Sequence, residues 1–203
     1  MTIKNIVFDV GNVIVKWSPL DIVSATFDVE EEAAQKLAQD IFSHQIWLDL
    51  NKGRYSESEA KLAYQTQLQL SVPETDRLFD NVKASLFLLE GTEDMMKELK
   101  ESGYGIYALT DNVHEIVAFL KNKYSFWSLF DNAIVSAEWD VLKPNPRIYQ
   151  LVVEQCNVEA SESVFLDDMP ANVEGAKTEG FHAFQFSTAK KAREDLRSLG
   201  VSI

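Results

Sequence analysis

Five short apolar runs rich in β-branched and aromatic residues punctuate the chain, at 6–15 (IVFDVGNVIV), 104–109, 132–135, 163–166 and 182–186. Their length and composition predict strands. Between the later runs, apolar positions recur at helical spacing over 92–102, 113–123, 146–155, 171–179 and 190–199, and Gly103 and Gly180 stand where helices should stop. Alternating strands and helices predict an α/β fold, a Rossmann-like doubly wound and mainly parallel sheet.

From about residue 19 to 88 the strand-like pattern is absent. Ile22, Ala25, Ala33, Leu37, Ile41 and Phe42 fall at helical spacing instead, which predicts an all-helical insertion directly after the first strand. The expected division is a core of residues 1–16 and 89–203 with residues 17–88 as a cap over the first strand's carboxyl end.

Composition narrows the functional classes. A chain of 203 residues, 46% of them hydrophobic, can bury a full core. Its formal charge of −13 argues against nucleic acid and anionic membranes as partners, because both require a positive footprint. No apolar run reaches the roughly 18 to 20 residues that span a bilayer, so a cytoplasmic location is expected. The single Cys156 forms no internal disulfide and reads as a packing thiol. With His44, His114 and His182 scattered, no His/Cys cluster suggests a transition metal. A monomer or homodimer is expected.

Charged residues at strand ends carry the chemistry. Within the run at 6–15, Asp9 stands at the carboxyl end of the first strand and is followed at once by Gly11 and Asn12, where open α/β sheets place ligands. Thr110-Asp111-Asn112 follows the second run and offers a hydroxyl and backbone N–H groups near a helix start, which suits phosphate oxygens or a helix cap. Lys143 sits between the third run and the next helix, on a loop stiffened by Pro144 and Pro146. Asp167 and Asp168 end the fourth run. Two adjacent carboxylates repel unless a cation offsets them, and a hard, oxygen-ligated ion such as Mg²⁺ would do so with Asp9 contributing.

The four motifs, Asp9-Val-Gly-Asn-Val13, Thr110-Asp-Asn112, Lys143-Pro-Asn-Pro146 and Asp167-Asp168, resemble in order those of the haloacid dehalogenase-like hydrolases, in the branch with a helical cap after the first motif. The resemblance spans essentially the whole chain. It implies that Asp9 is a nucleophile forming an aspartyl-phosphate, that Thr110 hydrogen-bonds the transferring phosphoryl group, and that Lys143 neutralises charge. It further implies Mg²⁺ held by Asp9, the Gly11 carbonyl and Asp168, with Asp167 orienting Lys143 or metal waters. The implied substrate is a small phosphorylated metabolite.

One departure matters. Phosphatases of this family usually carry a second Asp two residues after the nucleophile as general acid and base, and here Gly11 occupies that position. Such a group contributes about 10²- to 10⁴-fold. Either another group replaces the acid, Asp111 being a candidate, or the leaving oxygen needs little protonation, in which case a sugar 1-phosphate is expected among sugar phosphates. Asp111, Asn12 and Arg54 are further candidates for substrate contacts, Asn12 through its backbone N–H. Trp17, His44, Trp47 and Asn51 are candidates to line the cleft, whereas Phe126, Trp127 and Trp139 are assigned to packing. A 2-haloacid dehalogenase, in which Asp9 attacks carbon without metal, and a non-catalytic binding module are the alternatives.

Overall fold

Strand β1 (Asn5–Phe8) is buried along its whole length, as expected of a parallel strand covered on both faces. The computed structural model, which describes residues 2–203, places β1 at the centre of a five-stranded sheet. Its companions are β2 (Gly105–Thr110), β3 (Asn132–Val135), β4 (Ser163–Asp167) and β5 (His182–Gln185), all parallel, in the order β3-β2-β1-β4-β5. Phe8 lies in register with both Ala108 and Leu166, which aligns the carboxyl ends of the three middle strands.

Alternate residues feed two cores. Ile6, Phe8, Ile106, Ala108, Val164 and Leu166 pack on one side with helices α6 (Thr92–Glu101), α7 (His114–Lys123) and α10 (Ala189–Ser198). Val7, Leu109 and Phe165 face the other side, against α8 (Pro146–Cys156) and α9 (Pro170–Thr178). Helices on both faces make the sheet doubly wound, as the alternation predicted, and every strand pair is parallel. Gly103 and Gly180 both take the left-handed backbone conformation that ends a helix, with φ of 86° and 90°.

The first strand ends just before Asp9, as expected, and the remainder of the apolar run at 6–15 is a turn. Gly11 and Asn12 break the run, with Asn12 left-handed at φ 51°, and the N–H groups of Ile14 and Val15 both donate to the Val10 carbonyl. Val10, Val13, Ile14 and Val15 remain buried in this turn, so the run reflects burial rather than extension.

Between β1 and β2 lie α1 (Pro19–Thr26), α2 (Glu31–Phe42), α3 (Gln45–Asn51), α4 (Glu57–Gln67) and α5 (Val72–Ser85). Capping boxes start α4 at Ser56/Glu59 and α5 at Ser71/Glu74. Their buried stripe departs from the expected one: Ala25 and Ala33 are exposed, while Val23, Ala34 and Ala38 are buried beside Ile22 and Ile41. The two chain crossings into this segment are tied together. Lys16 N–H donates to the Phe87 carbonyl at 2.9 Å and Leu89 N–H to the Ile14 carbonyl at 2.8 Å, around an antiparallel bridge between Val15 and Leu88. Among the described residues, no helix is long and apolar enough to cross a membrane.

Candidate active site

The order β3-β2-β1-β4-β5 changes direction between β1 and β4, and ligands of open α/β sheets bind in the crevice beyond such a point. Asp9 leaves β1 there, with its N–H donating to the Leu166 carbonyl at 2.9 Å, and Asp168 follows the end of β4. Lys143 reaches the same point from the loop before α8. Its Nζ lies 2.9 Å from Asp9 Oδ1 and 2.7 Å from Asp167 Oδ2, and it donates to the Leu109 carbonyl at 3.3 Å.

These charges are largely withdrawn from water, the Lys143 side chain being 2% exposed and that of Asp9 11%. Burial raises the Asp9 carboxyl to about 7, helped by repulsion from Asp167 and opposed by Lys143. For Lys143, burial favours the neutral amine, but Asp9, Asp167 and Asp111 together outweigh it and hold the ammonium above its ordinary range. Burial also pushes the Asp111 carboxyl up to about 6 and raises that of Asp168, whose hydrogen bond from Asn12 acts the other way.

Four carboxylates therefore gather around one ammonium, an imbalance that a divalent cation would correct. Asp9, Asp167 and Asp168 each offer an oxygen within 4.8 Å of the others. Asp167 is nevertheless committed. Its Oδ1 accepts from the Met169 N–H and Asn172, and its Oδ2 accepts from Lys143 and Asn172. Asp9 accepts from the Val10 N–H and Lys143 through Oδ1 alone, which leaves Oδ2 without a protein donor among the described residues. Asp168 accepts one side-chain hydrogen bond, from Asn12 Nδ2 at 3.0 Å. The hard oxygens of Asp9 and Asp168 thus fit an ion such as Mg²⁺.

Above the charged floor lies a cavity of about 420 Å³, lined by Asp9, Gly11, Asn12, Trp17, Trp47, Asn51, Asp111, Lys143 and Asp168 among others. Thr110 is buried at the end of β2, and Asp167 is buried beneath the floor. Asp111 turns both oxygens toward the Lys143 N–H at 3.1 and 3.2 Å, which fixes the lysine loop. The helix after β2 is capped by neither Thr110 nor Asp111; it begins beyond Val113, with no side-chain cap.

Two expected cleft residues, Arg54 and His44, lie outside the cavity lining, and a third, Asn12, lines it without presenting its N–H. Arg54 pairs with Asp49 at 2.9 Å and with Asp140 at 2.6 Å, outside the cavity lining, because two nearby carboxylates claim its guanidinium. His44 is spent on capping α3, accepting from the Ile46 N–H. The Asn12 N–H is not presented to a ligand, since it donates to the Val15 carbonyl at 2.7 Å. Its side chain instead bridges Asp168 and the Trp17 N–H.

Sequence reasoning overlooked Ser136 and Asn172. Ser136 is fully buried, and its Oγ accepts from the Asn112 N–H at 2.9 Å while donating to the Asn51 carbonyl at 2.6 Å. That one hydroxyl ties the end of β3, the loop after β2 and the helical segment together. Gly53 reinforces the contact: a Cβ there would stand 2.1 Å from the Ala137 carbonyl oxygen. Ser136 follows the third strand directly, the only signal that marked it.

The sequence profile of haloacid dehalogenase-like hydrolases matches residues 3–180. The chain belongs to this family. Among relatives of this haloacid dehalogenase-like hydrolase, a sesquiterpene phosphatase from Aspergillus oryzae is 24% identical over 198 residues, covering 98% of this chain and 97% of the relative. A D-ribitol-5-phosphate phosphatase from Bacteroides thetaiotaomicron is 25% identical over 202 residues, covering 96% and 97%. In fold the chain is similar to a haloacid dehalogenase family enzyme from the same bacterium, solved with magnesium and inorganic phosphate. The TM-score is 0.77 at 19% identity, covering 92% of this chain and 95% of that one.

Proposed function

We propose that this hydrolase is a Mg²⁺-dependent phosphomonoester hydrolase that works through an aspartyl-phosphate on Asp9. The observation that carries the reading is the Lys143 ammonium bridging Asp9 and Asp167 at the cavity floor while Asp9 Oδ2 stays uncommitted. A carboxylate held in this way is aimed by one oxygen and free to attack with the other. The phosphatase relatives support the same reaction class.

In this account Asp9 Oδ2 forms a bond to phosphorus as the ester P–O bond breaks, and water then cleaves the aspartyl-phosphate to regenerate the carboxylate. Lys143 favours the ionised form of Asp9 and offsets charge on the phosphoryl oxygens, and Asp167, saturated by Lys143, Asn172 and the Met169 N–H, holds the lysine in place. Thr110 donates to the phosphoryl group from the end of β2. Mg²⁺, held by Asp9, the Gly11 carbonyl and Asp168, would supply charge neutralisation at the transferring group. The helical segment 17–88 acts as a cap whose Trp17 and Trp47 face the floor and limit access of water.

The sugar 1-phosphate expectation rests on the acidity of the anomeric hydroxyl. That requirement, a leaving oxygen needing little protonation, remains part of the proposal because Gly11 supplies no acid. The substrate is a small phosphorylated metabolite.

Phosphate release from a panel of phosphorylated metabolites, measured with Mg²⁺, with EDTA and for Asp9→Asn, tests the reading. Release abolished by both controls supports it. Release that persists in EDTA or in Asp9→Asn contradicts it, and chloride release from a 2-chloroacid without metal would point to attack at carbon.

A further inference from the structure

We propose that the alcohol released at this site is uncharged and aromatic, a phenol-class leaving group seated against Trp17, Phe42 and Trp47. The inference rests on the phosphatase reading and concerns what the rest of the substrate must be.

The wall above the charged floor is built from rings. Trp17 and Trp47 stack with centroids 5.6 Å apart at an interplanar angle of 16°, and Phe42 meets both edge-on at 5.3 and 4.9 Å. All three line the cavity, with Leu48, Leu86 and Ile116 around them. Flat apolar surface of this kind recognises a ring through dispersion and offset stacking. About 420 Å³ suits a substrate of a few rings or fewer.

Each amide side chain of the wall already has at least one protein partner. Asn12 spans Asp168 and the Trp17 N–H, and Asn51 donates to the Trp47 carbonyl. Asn112 accepts from the Val113 N–H, and Asn172 donates to Asp167. A polyhydroxyl substrate lowered into this space would exchange its water hydrogen bonds for few replacements. Among the described residues lining the cavity, Lys143 is the one cation, and it is held by two carboxylates. A second anionic group, as in a diphosphate or a nucleotide, would find no counter-charge and would meet a protein of net charge −13.

Gly11 links this wall to the chemistry. A Cβ at Gly11 would approach Trp17 Cβ at 3.7 Å, so the aromatic wall begins beside the position where an acid would otherwise stand. Without that acid, the ester P–O bond breaks with its electron pair left on the departing oxygen, which takes its proton from water. Phenols ionise near pH 10, as tyrosine does, whereas water itself ionises at about 15.7. An aryl oxygen therefore departs without help, and the ring that makes it a good leaving group is the group the wall accepts.

The test compares kcat/KM with Mg²⁺ for 2-naphthyl phosphate, glucose 1-phosphate and glucose 6-phosphate in the wild type, Trp17→Phe and Trp17→Gln. We expect the naphthyl ester to exceed glucose 1-phosphate at least tenfold in the wild type. Trp17→Phe should keep that ratio within threefold, and Trp17→Gln should reduce it at least fivefold, mainly through KM for the naphthyl ester. An intrinsic leaving-group advantage would survive loss of the ring, so an unchanged ratio in Trp17→Gln overturns the proposal. A preference for glucose 1-phosphate that vanishes in Asp9→Asn overturns it while leaving the phosphatase reading standing. No Asp9-dependent release from any of the three esters or from the wider metabolite panel overturns both.

Discussion

Replacing Asp9, the proposed nucleophile, should make the metal-free protein more stable. Asp9 is buried with Asp167 and Asp168 around a single ammonium, and its carboxyl is raised to about 7 from an ordinary value near 4. A group whose folded pKa lies above its unfolded one favours the native state fully at low pH, and that contribution is lost as pH rises through the folded value. At pH 8 without metal, a shift of about 3 units corresponds to a ceiling of roughly 4 kcal/mol of lost stability. Asn at position 9 does not titrate, and the attraction of Lys143 at 2.9 Å is already counted in the raised value, but an amide reproduces the hydrogen bonds of the neutral carboxyl imperfectly. About half the ceiling is therefore expected, roughly 2 kcal/mol, which raises Tm by about 4 to 8 °C in a chain of this size. Thermal unfolding in EDTA at pH 8 and pH 5 provides the assay, with a clear gain at pH 8 and less than half of it at pH 5. Mg²⁺ should reverse the order, stabilising the wild type more than Asp9→Asn. A lower Tm for Asp9→Asn at pH 8 in EDTA would refute the reasoning, because the Lys143 ion pair would then outweigh the cost of burying the carboxylate.

Mg²⁺ affinity should rise with pH, because the raised carboxyls of Asp9 and Asp168 must lose protons to bind it. Titration calorimetry between pH 6 and 8 should show the apparent Kd falling up to about tenfold per pH unit near pH 6 to 7 for each proton displaced and levelling off above; a flat profile contradicts the coupling. Gly11→Asp has room beside Trp17 and should restore an acid and base, raising kcat for alkyl phosphates at least about tenfold; unchanged kcat would show that proton transfer does not limit the reaction. Ser136→Ala leaves the buried Asn51 carbonyl and Asn112 N–H without their shared partner and should cost about 1 to 3 kcal/mol in urea unfolding; a cost below about 0.5 kcal/mol would mean that this junction is not a structural tie.

The alternation that predicted five strands survives in the structure almost residue for residue, because parallel strands buried on both faces need continuous apolar runs. The run at 6–15 was less legible. Burial in a tight turn and burial in a strand write the same apolar string, and the positive φ of Asn12 decides between them. The stripe in the helical segment was displaced at its alanines, Ala25 and Ala33, because so small a side chain occupies exposed and buried positions alike, as Ala33 and Ala34 do. At the floor, Asp9, Lys143, Asp167 and Asp168 stood out because charges at the ends of apolar strands have few structural uses. Ser136 and Asn172 did not, since both are ordinary residues for a turn or a helix start and their partners are set by tertiary folding, in the case of Ser136 and Asn51 across 85 positions of chain. Arg54 shows the converse. It stood out as a cation near the expected cap, yet its charge is consumed by Asp49 and by Asp140, 86 positions away.

Trapping the covalent intermediate tests the central claim most directly. The wild-type enzyme turning over an aryl phosphate with Mg²⁺ is quenched rapidly in acid, digested and searched for a phosphorylated peptide by mass spectrometry. The account predicts an acyl phosphate on the peptide containing Asp9, absent from Asp9→Asn and from samples incubated with substrate in EDTA instead of Mg²⁺. Turnover with no phosphate on that peptide, together with an active Asp9→Asn, would contradict it.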